Sequence, residues 1–230
     1  MTTSEKGTRM NNDEIREYLN GQNKFPILAI TGYSKSGKSL VASYLQEIYG
    51  FSKHSFAAPG KQFLADHFDF AEQKKEDVPE FFPEFPTYRT MLKTLLSTWG
   101  RHITHQDIWP LVLIRKLRSK ENNPVVIDDL RFDNEMNILV DHFPNRVIFI
   151  RVDRKGTEPR PVFTRNPFKK IWNRLFWQPH ESERGVASYM IDFVLENDGE
   201  ITSIFQAVDD MLNTMIQEHR RTEIWNTGSY

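Results

Sequence analysis

Cysteine is absent from all 230 residues, which removes disulfides, cysteine-ligated zinc, iron–sulfur clusters and thiol nucleophiles together. The same absence is compatible with a reducing compartment. No apolar run approaches the ~18 residues that a membrane span needs. Positions 1–23 are polar with mixed charge and lack the apolar centre of a secretory signal. A charge excess of either sign is also missing. The 30 Lys and Arg face 31 Asp and Glu, a formal net charge of -1, which excludes a globally basic chain that coats nucleic acid. No internal repeat or low-complexity tract is visible. What remains, 39% apolar with 17 Phe, supplies a core for one α/β domain with room for a small insertion.

The most specific stretch present is Gly32-Tyr33-Ser34-Lys35-Ser36-Gly37-Lys38-Ser39, which fits G-x-x-x-x-G-K-[ST] at every fixed position. An apolar run, 25–31, precedes it. The run Leu40 to Tyr49 follows with apolar residues at helical spacing and stops at Gly50. Strand, glycine loop and helix together let consecutive backbone N–H groups wrap a polyphosphate, with the positive end of the helix dipole behind them. In that arrangement Lys38 reaches the β- and γ-phosphates and the Ser39 hydroxyl ligates Mg²⁺.

Four apolar segments read as strands: Ile27–Thr31, His54–Ala57, Val125–Asp128 and Arg146–Val152; a fifth is Met190–Leu195. Helical patterns fall at Leu40–Tyr49, around Lys61–Phe68, and at Tyr88–Leu96, Trp109–Arg118, Glu135–His142 and Ile201–Gln217. Asp13–Leu19 forms a short helix in an otherwise loose leader. Alternating strands and helices imply right-handed crossovers and a doubly wound parallel sheet of five strands flanked by helices. The expected organisation is a polar leader over 1–24, a phosphate-loop domain over 25–217 and a tail over 218–230. The apolar stripe on Ile201–Gln217 reads as core rather than as a dimer interface, although a homodimer stays open.

Two further stretches carry chemistry. Val125-Val126-Ile127-Asp128-Asp129 is a buried-type strand ending in acids, suited to hold Mg²⁺ or its water shell beside a phosphate loop. The same acids also suit the cap of the following helix. Arg131 offers a bidentate donor to a phosphate. Residues 151–177 carry eight basic side chains, Arg151 and Arg154 among them, against two acids, interleaved with Phe and Trp. This reads either as a solvated basic face or as a lid that brings arginines onto phosphates; a membrane or nucleic-acid contact is a third reading. His180 lacks a second histidine four residues on, which argues against zinc.

These blocks, in this order, resemble the bacteriophage deoxynucleoside monophosphate kinases. The carrying residues are the phosphate loop, Thr87-x-Arg89-x-x-Leu92, Thr98-Trp99-Gly100-Arg101, Asp107-x-Trp109 and Asp129-x-Arg131-x-x-Asn134-Glu135. To these are added His180-Glu181-Ser182-Glu183 and Glu196-Asn197-Asp198-Gly199. The resemblance covers most of Ile27 to Leu212. It implies a P-loop, nucleoside-monophosphate-kinase-like fold with a lid-like basic insertion over about 151–180 and an acceptor region over about 58–110. It further implies transfer of the γ-phosphoryl group of ATP to a deoxynucleoside monophosphate, with ATP and Mg²⁺ as cofactors and a cytoplasmic location (the host cytoplasm if phage-encoded). By the same resemblance Lys38, Arg131, Arg151 and Arg154 are catalytic, and Ser39 and Asp129 hold the metal. ATP lies on Gly32 to Leu40 and Asn197. Lys61, Arg89, Arg101, Glu135, His180 and Glu183 bind the acceptor. No membrane partner is implied, and the near-neutral charge disfavours nucleic acid.

Overall fold

The computed structural model describes residues 9–21, 26–70, 76–80, 83–120, 123–158, 186 and 188–227. Within them the chain forms two compact units. The first is built from Met1–Lys53, Asn122–Arg131 and Ile148–Tyr230, the second from His54–Glu121 and Phe132–Val147.

The sheet orders the first unit. Its strands are β1 (Ile27–Thr31), β2 (Ser52–His54), β3 (Val125–Ile127), β4 (Val147–Asp153) and β5 (Phe193–Glu196), in the spatial order β2-β3-β1-β4-β5. β1 pairs in parallel with β3, Leu28 opposite Val126, and β4 pairs in parallel with β5, Val152 opposite Leu195. β1 and β3 are buried along their whole length. That is why their sequences are continuous apolar runs rather than alternating ones. Crossovers from β1 lead to one side of the sheet and those through β4 to the other. The order therefore reverses between β1 and β4, where ligands of such sheets bind at the carboxyl ends of the strands.

Helix α2 (Lys38–Tyr49) buries Val41, Ala42, Leu45 and Tyr49 against this sheet and ends at Gly50 in a left-handed cap. The core continues through Ile204, Val208, Leu212 and Ile216 of the last helix, Ile201–Thr227. The expected leader contributes to it. Helix α1 (Asn12–Asn20) is capped by Asn11 and Glu14; its Ile15 and Leu19 are buried in that core, and Tyr18 packs against it. An isolated i, i+4 apolar pair among polar residues is a weak sequence signal, but it is enough to dock one face of a short helix. The last helix likewise runs beyond Gln217, through the first ten residues of the expected tail.

In the second unit, α3 (Ala58–His67) starts three residues earlier than the spacing suggests, with Pro59 in its first turn, where the missing N–H costs nothing. β2 ends at His54, short of the expected Ala57, because the chain is already turning into α3 at Phe56. Helix α4 (Tyr88–Lys93) passes into a π-helical stretch, Thr94–Thr104, in place of the single helix expected over Tyr88–Leu96. Helices α5 (Ile108–Lys120) and α6 (Asp133–His142) complete the unit. The Trp109 indole donates to Leu96 O at 2.7 Å. Gly100 lies flat against that indole, where a Cβ would sit 2.6 Å from Nε1.

Candidate active site

The phosphate loop follows β1 in the first unit. Its backbone takes conformations that few side chains tolerate. Gly32 has φ +138°, Gly37 has φ +111°, and Lys35 is one of two non-glycine residues with positive φ among the described residues. A Cβ on Gly32 would run into Val152 O and lie 2.8 Å from Ser36 Oγ, and one on Gly37 would run into Asn197 Nδ2. The glycines are therefore required both by φ and by close approach.

Asn197 is buried, and its amide donates to Ser36 O at 2.8 Å. Its own N–H donates to Asp153 O at 2.8 Å, continuing the β4–β5 ladder. Sequence resemblance places this residue at the nucleotide; the contact it makes in the structure is with the loop itself. Replacing Gly37 with alanine should break that contact and strain the loop by about 1–3 kcal/mol. Mg²⁺–nucleotide affinity measured by calorimetry is expected to fall by roughly tenfold or more. An unchanged affinity would remove the loop from the binding site.

Lys38 Nζ donates to Gly32 O at 2.7 Å and to Tyr33 O at 2.6 Å, so the lysine folds back on the loop's own carbonyls. Burial pushes its pKa down to about 8, helped by Arg131, while Asp128 and then Asp129 pull the other way. These charges at the end of β3 thus share one electrostatic neighbourhood with the loop lysine. Ser39 is exposed on the first turn of α2, and Leu40 is half-buried against the core. Asp128 and Asp129 are half-buried after β3, and Arg131 is exposed.

The loop fits a polyphosphate on three counts. Its glycines leave a cradle that a Cβ would fill. Ser36 Oγ is fully buried without a hydrogen-bond partner. A flexible ammonium stands at the loop beside the acids of β3. Among the described residues no group of three or more His, Cys, Asp or Glu is arranged to hold a metal ion. A Mg²⁺ here would take Ser39 and an acid of the Asp128–Asp129 pair, directly or through water, and most of its ligands from phosphate oxygens and water.

A cleft of about 450 Å³ opens where the sheet order reverses, lined by Gly32 and Tyr33, by Arg151 and Arg154 from the end of β4, and by Glu196 and Asp198 from the end of β5. Its charges are largely matched. Arg151 Nε sits 3.0 Å from Asp153 Oδ2, and Lys155 Nζ lies 3.0 Å from Asp198 Oδ2. The Lys155 backbone N–H donates to Asp198 Oδ1 at 2.7 Å, and with the Lys155 ammonium it holds the Asp198 carboxyl below the ordinary carboxylate range. Arg154 is exposed. The remainder of the basic segment, with His180 and Glu183, lies outside the described residues.

The second unit holds the residues expected on the acceptor side. Lys61 on α3 and Arg89 on α4 are exposed. Arg101 and Glu135 meet each other. The guanidinium Nη2 pairs with Glu135 Oε1, Nη1 donates to Gln106 O at 3.2 Å, and the guanidinium carbon lies 3.9 Å from the Phe132 ring centroid. Glu135 Oε2 also accepts from the Phe132 N–H at 3.2 Å, and Asn134 Nδ2 donates to Asp107 Oδ1 at 2.7 Å. The three separated blocks around Arg101, Asp107 and Asn134–Glu135 thus form one clasp. No local signal in the sequence joins them.

The glycine loop between a central parallel strand and a helix, with acids ending the adjacent strand, defines an α/β P-loop NTPase fold. No family model matches the chain, and no curated protein matches it. Among solved structures it is similar to a gluconokinase from Sinorhizobium meliloti 1021, at 15% identity and TM-score 0.44 over 86% of this chain and 97% of that one. It is also similar to a shikimate kinase from Acinetobacter baumannii in complex with shikimate, at 11% identity and TM-score 0.44 over 88% and 98%. A dephospho-CoA kinase from Campylobacter jejuni is similar at 14% identity and TM-score 0.43 over 84% and 98%.

Proposed function

We propose that the protein is an ATP-dependent phosphotransferase that moves the γ-phosphoryl group of ATP to a deoxynucleoside monophosphate. The observation that carries the first part is the positive-φ glycine loop with its half-buried lysine beside the acids of β3. Phosphoryl transfer asks a protein for in-line positioning and for neutralisation of spread negative charge, not for a covalent intermediate. The loop amides and Lys38 hold the donor phosphates; Lys38 leaves the Gly32 and Tyr33 carbonyls to do so. Arg131 and Arg154 carry positive charge toward the phosphoryl group in flight. Arg151 joins them when it exchanges Asp153 for phosphate. Ser39 and an acid of β3 would hold a Mg²⁺, directly or through water, and the ion would supply charge that offsets that of the phosphates.

The acceptor half rests on the ordered blocks that resemble the phage kinases. Lys61 and Arg89 are exposed cations suited to a monophosphate, and His180 and Glu183 follow from the resemblance alone. Arg101 and Glu135 are engaged with each other, which favours a second reading, a P-loop kinase for a non-nucleotide phosphate ester. A coupled ADP-release assay across dAMP, dCMP, dGMP, dTMP and modified pyrimidine monophosphates decides between them. Acceptor-dependent turnover with one of these is expected. Turnover with none of them, together with thermal stabilisation by another phosphate ester, would replace the first reading by the second.

A further inference from the structure

Lys53 belongs to no motif. It lies in β2, the edge strand beside β3, and the Ser52 N–H donates to Pro124 O at 2.7 Å just before β3. This register starts β2 level with the start of β3, and the long Lys53 side chain reaches the acid that follows the strand. Its Nζ is 3.1 Å from Asp128 Oδ2, with side chains 28% and 14% exposed. Asp128 is also the first of the two acids in its pull on Lys38. The carboxylate that directly ends β3 therefore has an ammonium of the protein's own on one oxygen and the field of the loop lysine nearby.

We propose that Lys53 is the resident counter-cation of Asp128, keeping that carboxylate occupied so that a divalent cation enters with the nucleotide and not ahead of it. The inference rests on the reading of this site as one for a metal–nucleotide complex. Two ammonium groups and an arginine near the acids repel a free dication. A nucleotide brings several negative charges of its own, which reverse the sign of the local field and supply most of the ligands that a hard cation needs. Lys53 acts through Asp128 and is a positioning residue.

The test uses the full chain without nucleotide and Mn²⁺ as the probe, with free Mn²⁺ counted by electron paramagnetic resonance. Wild type and K53R should bind Mn²⁺ weakly and alike. The neutral variants K53M and K53Q should each bind it on the order of tenfold more tightly, about 1.4 kcal/mol. The double variant K53M/D128N should return to the wild-type value. Thermal melts of every variant establish that the folded protein is being compared, and two neutral side chains guard against one that misfolds. If neither K53M nor K53Q gains affinity, or if the gain survives D128N, the proposal is wrong. Free Mn²⁺ binding involves no phosphoryl transfer, so a failure of the kinase reading would show separately, as a wild type that releases no ADP.

Discussion

Replacing Lys38 with alanine should lower turnover by about 10³-fold, because on the proposed reading it removes a cation that offsets charge developing in the transition state. ADP release under saturating substrates measures the loss; a variant within about tenfold of wild type would take Lys38 out of the chemistry. The same lysine makes a second, independent statement about pH. Its pKa is pushed down to about 8 in the folded protein, chiefly by burial, against about 10.4 for an unfolded lysine. Between those values the unfolded chain binds more protons than the folded one, so stability rises with pH across that window. Below pH 8 the cost of holding the ammonium in a partly closed site is fully present. Urea melts of wild type and of Lys38→Met should therefore converge or cross in favour of wild type as pH rises from 8 to 10. Parallel curves would mean that the lysine sits at its ordinary value.

Glu135→Ala should be the most damaging single change in the second unit. The carboxylate is 1% exposed. It pairs with Arg101, whose side chain is 11% exposed, and it accepts the Phe132 N–H that opens α6. Removing it strands a guanidinium in a nearly closed place and orphans a backbone donor, which together cost about 3–5 kcal/mol. At about 2–4 °C per kcal/mol for a chain of this size, the melting temperature should fall by roughly 10 °C. Glu135→Gln keeps the acceptor for Phe132 and should lose only part of that. Calorimetry of both variants checks the order, and equal melting temperatures for wild type and Glu135→Ala would mean that the clasp contributes nothing.

That clasp also shows where sequence reasoning stops. The phosphate loop and its flanking strand and helix are legible because the chemistry is local: eight consecutive residues carry both the φ requirement and the charge. The strands β1 and β3 read correctly because burial on both faces leaves only apolar residue types. The resemblance makes Arg101 and Glu135 acceptor contacts; that they also pair with each other has no local signal, since 34 positions separate them. Lys53 gave no signal at all, since its meaning depends on the register of two neighbouring strands. The π-helical stretch has no local signal either; within it the carbonyl of Leu96 accepts from Trp109, a residue beyond the stretch itself. The resemblance sets Asn197 at the nucleotide; its contact with Ser36 on the loop has no signal in the sequence. Lys155 belongs to the basic segment and Asp198 to the last of the resembling blocks, yet their union across 43 residues follows from the pairing of β4 with β5.

The docking of α1 has a consequence for how the protein is made. The side chain of Asn213 grips the peptide of Met10 from both sides, accepting its N–H at 2.8 Å and donating to its carbonyl across 203 positions. The Tyr49 hydroxyl of α2 lies between two acceptors, Asn12 Oδ1 at 2.9 Å and Asp209 Oδ1 at 2.6 Å. On a ribosome that adds about 5–20 residues per second, roughly 10–40 s separate the emergence of Met10 from that of Asn213. Every residue of the second unit is polymerised inside that interval. The half of the molecule that carries the phosphate loop is thus begun first and closed last, with Ile15 and Leu19 waiting uncovered on the nascent chain.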